Sequence, residues 1–307
     1  MNRRDVLRLL PSVAATLALP GAALARRRGS DLEVTDLGER LFLISGGGGN
    51  VTVFDSPEGA LLVDGGAAEH AADILELVRA RSRAGRVHTL FNTHWHRDQT
   101  GANLALGSAG TRIVAHENTR LWMSTEVNCK WEGRVYERLP VEAHPNETFY
   151  TSGSLDFGGE RIDYGYLPQA HTDGDIYVFF REANVLVCGD VIASDAWPVI
   201  DWTTHGWIGG LVDATQTLLE LGDANTKFVP GKGRVLSRAD VQTLHEVLAT
   251  MKQRLARLLA QGMSVQDMIE AAPAREFEAR WGDPSLFIAN AYPGMVARYT
   301  QLGVSIV

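Results

Sequence analysis

The sequence holds only two cysteines, Cys129 and Cys188, in 307 residues. That excludes a disulfide framework and any cysteine-rich zinc module. It also lacks an uninterrupted apolar run of about 18 or more residues, so the mature chain is not expected to span a membrane. There is no long basic block beyond the N-terminus, and acidic residues outnumber basic ones 37 to 29, giving a net charge of −8. Nothing here invites nucleic-acid binding. With 45% apolar and 21% charged residues, the chain has the balance of an ordinary globular protein with a substantial core, and a small molecule is the expected partner.

What is present begins with Asn2-Arg3-Arg4-Asp5-Val6-Leu7. An apolar stretch from Leu9 to Leu24 follows, interrupted by Pro11 and Pro20, and Ala23-Leu24-Ala25 offers small residues at a cleavage site. The prolines argue against a packed helix. The segment resembles a bacterial twin-arginine export signal. The resemblance implies a signal over residues 1–25, recognition by the twin-arginine export machinery, and a periplasmic mature protein over residues 26–307. Its three arginines and one aspartate make the mature net charge −10. Because that route moves folded proteins, a metal would be loaded before export.

The mature chain reads as two similar halves. Leu32–Leu37 and Arg40–Ser45 are short strands around Gly38, and Gly46–Gly49 reads as a flexible loop. That glycine run lacks the Lys-Ser/Thr of a phosphate-binding loop. Asn50–Asp55 and Gly59–Val63 form a hairpin. A helix over Ala67–Arg81, a buried strand Val87–Asn92, a strand Thr111–Ala115 and a helix Glu117–Ser124 complete the first half. The second half repeats the theme. Gly153–Phe157 pairs with Arg161–Tyr166, and Ile176–Phe180 with Val185–Cys188. A helix Gly209–Leu221, a strand Lys227–Val229 and helices over Ala239–Gln261, Val265–Ala271 and Leu286–Leu302 follow. Strands followed by helices, twice over, predict an α/β fold of four layers, an αββα sandwich.

Polar loops at strand ends carry the candidate chemistry. His94 and His96 alternate on one loop, so both imidazoles can point into one space, and Asp98 continues the spacing. His171 comes from the matching loop of the second half, and Asp190 ends a hydrophobic strand. Three histidines at one point suit a catalytic zinc, which keeps an open position for water. A water bound there loses its proton near neutral pH.

Together, Asp64-Gly65-Gly66, His94-Trp95-His96-Arg97-Asp98, His171 and Gly189-Asp190 resemble the metallo-β-lactamase-fold superfamily, over nearly all of the mature chain up to Gly233. The resemblance implies the metallo-β-lactamase fold and a metal site of His94, His96, His171, Asp190 and Asp98. Two departures stand out. Gln99 replaces a histidine of the two-metal pattern, and Lys232 in Pro230-Gly231-Lys232-Gly233 replaces another. One tightly bound zinc is therefore expected, with the Lys232 ammonium supplying the cation that Asp98 and Asp190 need in order to stay ionised together. Gln99 can donate to a carboxylate or offer a weak oxygen ligand. The alternative is a weakly held second metal. Aspartate at position 190 resembles the glyoxalase II, lactonase and phosphoesterase branches, whereas the superfamily's β-lactamases carry Cys or Ser there.

The expected activity is hydrolysis of an ester, thioester, lactone or amide, with Asp98 orienting water and accepting its proton and Lys232 stabilising an oxyanion or leaving group. Two other readings stay open: a mononuclear iron enzyme of sulfur-dioxygenase type using two histidines and Asp190, and a non-catalytic periplasmic binding protein. Asp64 either supports the metal ligands from behind or caps a turn. Trp197, Trp202, Trp207 and His205 follow Asp190 on a loop that either lines an apolar substrate pocket or packs upon itself. His205 is also a candidate substitute ligand or proton donor. Residues 127–148 form a long connection that can cover the pocket.

Overall fold

The computed structural model describes residues 32–301; the signal segment lies outside them. The first sheet begins with β1 (Glu33–Asp36), β2 (Leu41–Gly47), β3 (Gly49–Ser56), β4 (Gly59–Val63), β5 (Val87–Phe91) and β6 (Arg112–His116). A separate two-stranded hairpin follows, β7 (Val127–Cys129) and β8 (Arg134–Tyr136), before β9 (Glu147–Phe149) joins the first sheet beside β6. The second sheet runs in sequence order: β10 (Ser152–Phe157), β11 (Glu160–Tyr166), β12 (Ile176–Phe180), β13 (Val185–Gly189) and β14 (Lys227–Pro230).

Period-two alternation assigns the faces. In β2, Leu41 and Leu43 meet Phe180, Val178 and Val187 of the second sheet in the central core. Their neighbours Phe42 and Ile44 point the other way, onto Ile74 and Val78 of α1 (Ala71–Arg81) and Leu106 of α2 (Asn103–Ser108). After α3 (Glu117–Ser124), the remaining helices cover the second sheet: α4 (Ile208–Leu221), α5 (Arg238–Ala260), α6 (Val265–Glu270), α7 (Glu278–Trp281) and α8 (Ser285–Gln301). Phe179, Leu186 and Cys188 face Leu211, Leu244 and Met251 there. The αββα sandwich is thus the observed architecture. Two capping boxes, Ser237 with Asp240 and Ser264 with Asp267, start α5 and α6 by satisfying free backbone N–H groups. Among the described residues no helix is long and apolar enough to cross a membrane.

Parallel pairing joins β4 to β5 and β13 to β14. The carboxyl ends of these strands, with that of β11, carry Asp64, the His94 loop, Asp190, Lys232 and the His171 loop along one rim. That is where sheets of this kind hold ligands.

One expectation needs correction here. The glycine run is not a flexible loop: it continues β2 into β3 around Gly48, whose φ of +88° is open to glycine at little cost. Beyond it, Asn50 clamps the lysine loop. Its N–H donates to the Gly231 carbonyl at 2.8 Å, and its side chain donates to the Pro230 and Gly233 carbonyls at 2.9 Å each. Residues 127–148, expected as a long connection, contain the β7–β8 hairpin, a turn of 3-10 helix at Val141–Ala143 and the start of β9. Strands of three residues are too short to show a period.

A Cβ on Gly49 would lie 2.5 Å from the Asp98 carbonyl and 2.5 Å from Gln99 Oε1. Gly49→Ala is therefore expected to cost about 1–3 kcal/mol by overpacking. Gly38→Ala, with nothing near its Cβ, should change stability by about 0.5 kcal/mol or less. Urea melts of both variants check this; equal stabilities would restore the flexible loop.

Candidate metal centre

His94, His96, His171 and Asp190 converge so that one ligand atom from each lies within 4.8 Å of all the others. The three imidazoles stand edge to face, with ring centroids 4.7–4.8 Å apart. His94 and His171 are 1% exposed. Asp190 Oδ2 is 3.8 Å from His94 Nε2 and 3.9 Å from His171 Nε2.

What each ring does on its far side decides what it can do at the centre. Asp64, 1% exposed, accepts the backbone N–H of Thr93 and the Thr93 hydroxyl, both at 2.8 Å. With its proton spent on Asp64, Thr93 Oγ1 accepts from His94 Nδ1 at 3.1 Å. His171 Nδ1 lies 2.8 Å from the Val199 carbonyl, which can only accept. His96 Nε2 lies 3.1 Å from the Asp201 carboxylate. Each outer nitrogen therefore carries the proton, and each inner nitrogen, His94 Nε2, His96 Nδ1 and His171 Nε2, presents a lone pair.

Lone pairs facing each other repel unless a cation lies between them. His96 Nδ1 and His171 Nε2 are 3.0 Å apart, so without a metal a proton must lie between them as a hydrogen bond, and His94 Nε2 is buried without a hydrogen-bond partner. This donor set of three imidazoles and a carboxylate fits a divalent metal such as zinc. Burial, with His171, His96 and Lys232 nearby, holds His94 well below its ordinary pKa and hence neutral, as a ligand must be.

Sequence reasoning missed Asp201. It is fully buried and accepts four hydrogen bonds: His96 and the Thr204 hydroxyl (2.6 Å) on Oδ2, the Thr203 N–H (3.1 Å) and Trp131 Nε1 (3.0 Å) on Oδ1. Burial alone would raise its pKa. The bonds and charge of His96 and the bond from Thr204 outweigh that and bring it to about 2. An aspartate whose carboxylate caps the N–H two residues on looks like any turn in sequence, so nothing local marks it. Trp131 lies between β7 and β8, so the hairpin over the pocket is tied to the group that orients His96.

Beside this cluster Lys232 makes an ion pair with Asp98. Burial works against its charge, but Asp190 and Asp98 together raise its pKa. Asp98 lies outside the four-ligand group. Gln99 donates its amide to the Gly231 carbonyl at 3.1 Å, not to a carboxylate, and its oxygen is buried without a partner. A Cβ on Gly231 would collide with the Asp190 carboxylate and crowd the Gln99 amide. The residues expected around a second metal are therefore gathered at one place.

His96, Asp98, His171, Asp190 and Lys232 line a cavity of about 670 Å³ whose far wall, residues 131–139, includes the hairpin's second strand. Trp197 lines a smaller cavity next to it, also open to Asp190 and Lys232. Trp202 and His205 are not part of either: with Trp207 they line a separate cavity against α8. Trp95, inside the motif, is fully buried and donates to Thr204 Oγ1 at 3.2 Å, so it packs the loop.

The metallo-beta-lactamase superfamily model matches residues 44–258. Among solved structures, a metallo-beta-lactamase from Pontibacter korlensis is 19% identical with a TM-score of 0.57, over 71% of this chain and 99% of that one. The DIM-1 metallo-beta-lactamase is 17% identical with a TM-score of 0.58, over 72% and 98%. The metallo-beta-lactamase IND-7 is 19% identical with a TM-score of 0.56, over 71% and 98%. At such identities the likeness is one of fold. A search of curated protein sequences returned no match.

Asp201→Asn should weaken zinc binding by about 10- to 100-fold, the usual effect of removing a hydrogen bond that orients a ligand. His171→Ala should abolish tight binding. The Asp201 hydrogen bond and charge outweigh burial and hold the metal-free pKa of His96 above 6.5. A metal must displace that proton, so below this pKa affinity should fall about tenfold per pH unit. Chelator-competition titrations from pH 5 to 8 measure both effects; a pH-independent affinity would refute His96 as a ligand that must lose a proton to bind the metal.

Proposed function

The chain belongs to the metallo-beta-lactamase superfamily, and on that premise we propose that it is an exported zinc hydrolase with one tightly held metal and a lysine in place of the second. The observation that carries this reading is the convergence of three imidazole lone pairs and Asp190 beside the Lys232–Asp98 ion pair at an open cavity. His94, His96, His171 and Asp190 would hold the ion. When bound, it supplies Lewis acidity, lowering the pKa of a water and polarising a carbonyl oxygen.

The chain's own groups do the rest. Asp98 is 30% exposed and faces the cavity, so a water held against its carboxylate can give up a proton as it adds to the substrate carbonyl. Lys232 stays charged between two carboxylates. Its ammonium offsets their mutual repulsion and offers a hydrogen bond to the developing oxyanion or to the leaving group. The chain uses lysine sparingly, with four among its 29 basic residues (Lys130, Lys227, Lys232 and Lys252). A compact ammonium suits this position better than the broad fork of an arginine. Substrates are esters, thioesters, lactones or amides. Aspartate at position 190 argues against β-lactams and for the glyoxalase II-like side of the superfamily.

Wild-type protein should hold about one equivalent of zinc in modest zinc excess. Lys232→Ala should lower turnover by roughly 10²- to 10³-fold, the range for loss of one oxyanion donor. It should also either recruit a second ion or leave a carboxylate protonated. Gln99→His with Lys232→His should bind close to two equivalents. Elemental analysis after metal titration decides: two tight ions in the wild type would sink the lysine reading, and iron in excess of zinc in protein from its native host would favour the oxygenase alternative.

For export, N-terminal sequencing of periplasmic protein should begin at Arg26. Replacing Arg3 and Arg4 with lysine should trap the precursor in the cytoplasm; unchanged export of that variant would discard the twin-arginine reading.

A further inference from the structure

Lys232 and Asp190 stand at the junction of two cavities of opposite character. The larger, of about 670 Å³, has charged walls that include Arg97, Arg134, Arg138, Glu132 and Glu137. The smaller, of about 240 Å³, is lined by Ile192, Ala193, Ala196, Trp197, Pro198 and Val199. Its only charged lining residues are Asp190 and Lys232. The remaining polar side chain, Ser194, accepts the backbone N–H of Arg234 at 3.3 Å.

This apolar chamber is held in shape. The Trp197 ring stacks on Phe287 at 4.9 Å and meets Trp281 edge-on at 5.0 Å, and its Nε1 donates to the Gly282 carbonyl at 3.0 Å. Asp195, at the outer turn of the same loop with φ +53°, is gripped by Arg234 at 2.9 Å and Arg280 at 3.4 Å. The loop also touches the metal ligands, since the Val199 carbonyl accepts His171 Nδ1. A group resting on Val199 and Trp197 therefore lies next to the reacting centre, in a pocket already formed and apolar, which is what favours a hydrocarbon over a polar group.

We propose that this chamber is the subsite for a short aliphatic acyl chain, so that the substrate is asymmetric, with an apolar acyl limb of a few carbons here and a polar leaving group in the larger cavity. The assignment rests on the hydrolase reading above. Lys232 and Asp190 line both cavities, so the remaining walls decide which limb goes where: the apolar lining of the chamber suits the hydrocarbon of the acyl limb, and the charged walls of the larger cavity suit a polar leaving group. The product of such a reaction is a short-chain carboxylate with its head beside the ammonium and its tail in the chamber.

The test uses that product class. Dissociation constants of straight-chain carboxylates, acetate through octanoate, are measured by calorimetry on the metal-loaded protein. Affinity should rise about fourfold per methylene and level off once the chamber is full. Ala193→Phe and Ala196→Phe, neither in the catalytic machinery, should flatten the series while leaving acetate affinity and metal content unchanged. Ala196 is exposed, so its variant keeps the test valid if the other fails to fold. A flat or undetectable series in the wild type overturns the subsite, and so does a series unaltered by a folded variant. Turnover of p-nitrophenyl esters of the same chain lengths separates the two readings. Chain-dependent binding without turnover of these or of matched thioesters and lactones overturns the hydrolase assignment alone; turnover with flat binding overturns the subsite alone.

Discussion

Three imidazole lone pairs forced to face one another are the constraint on which the site depends. The outer hydrogen bonds of His94, His96 and His171 end on acceptors that cannot give a proton back: a threonine oxygen already committed to Asp64, the Asp201 carboxylate and the Val199 carbonyl. Each bond fixes a ring and its tautomer. The inward-facing nitrogens then repel unless a proton or a metal ion lies between them, and only a metal ion can serve all three at once. The same logic makes the site sensitive to protons, which compete for the same lone pairs.

The backbone pays for this convergence by coming very close to itself. Gly49 lies against the Asp98 carbonyl and the Gln99 amide, Gly231 against Asp190, and Gly189, with φ +56°, against Thr93. The contact of Gly189 with Thr93 joins the two sheets, the other two join neighbouring loops within one sheet, and each leaves no room for a Cβ. Asn50 then fixes the turn that carries Lys232. The glycines serve the electrostatics: they let Asp98, Asp190, Lys232 and the histidines occupy one small volume, where charges act strongly on one another.

Lysine and arginine divide the work around this volume. The Lys232 ammonium pairs with Asp98 and feels the charge of Asp190, while Arg234, two residues on, spans Asp195 and Asp240 with its planar fork. The first is placed to act on a substrate; the second braces the loop that walls the apolar chamber. Trp131 and Trp197 likewise each use their indole N–H to anchor a wall, one on Asp201 and one on the Gly282 carbonyl. The walls of the two cavities are therefore tied to the fold by directed bonds as well as by packing.

The sequence by itself determined the layers, because strand runs followed by helices recur in both halves; the structure then showed which of the uniformly apolar Leu41-Phe42-Leu43-Ile44 meet the other sheet and which meet a helix. It also determined most of the metal group, because charges and histidines at the ends of hydrophobic strands have few structural uses and their two-residue spacing aims them together. Only the tertiary structure decided that the glycine run is a tight connection, that Gln99 turns to a carbonyl, that Trp202 and His205 leave the site for another cavity, and that Asp201 and Trp131 belong to it. The physical reason is separation along the chain. His96 and Asp201 are 105 residues apart, and Gln99 and Gly231 are 132 apart. No local propensity or period links such pairs. Their meeting is set by the packing of the two sheets, and with it the choice of which nitrogen on each ring is free to hold a metal.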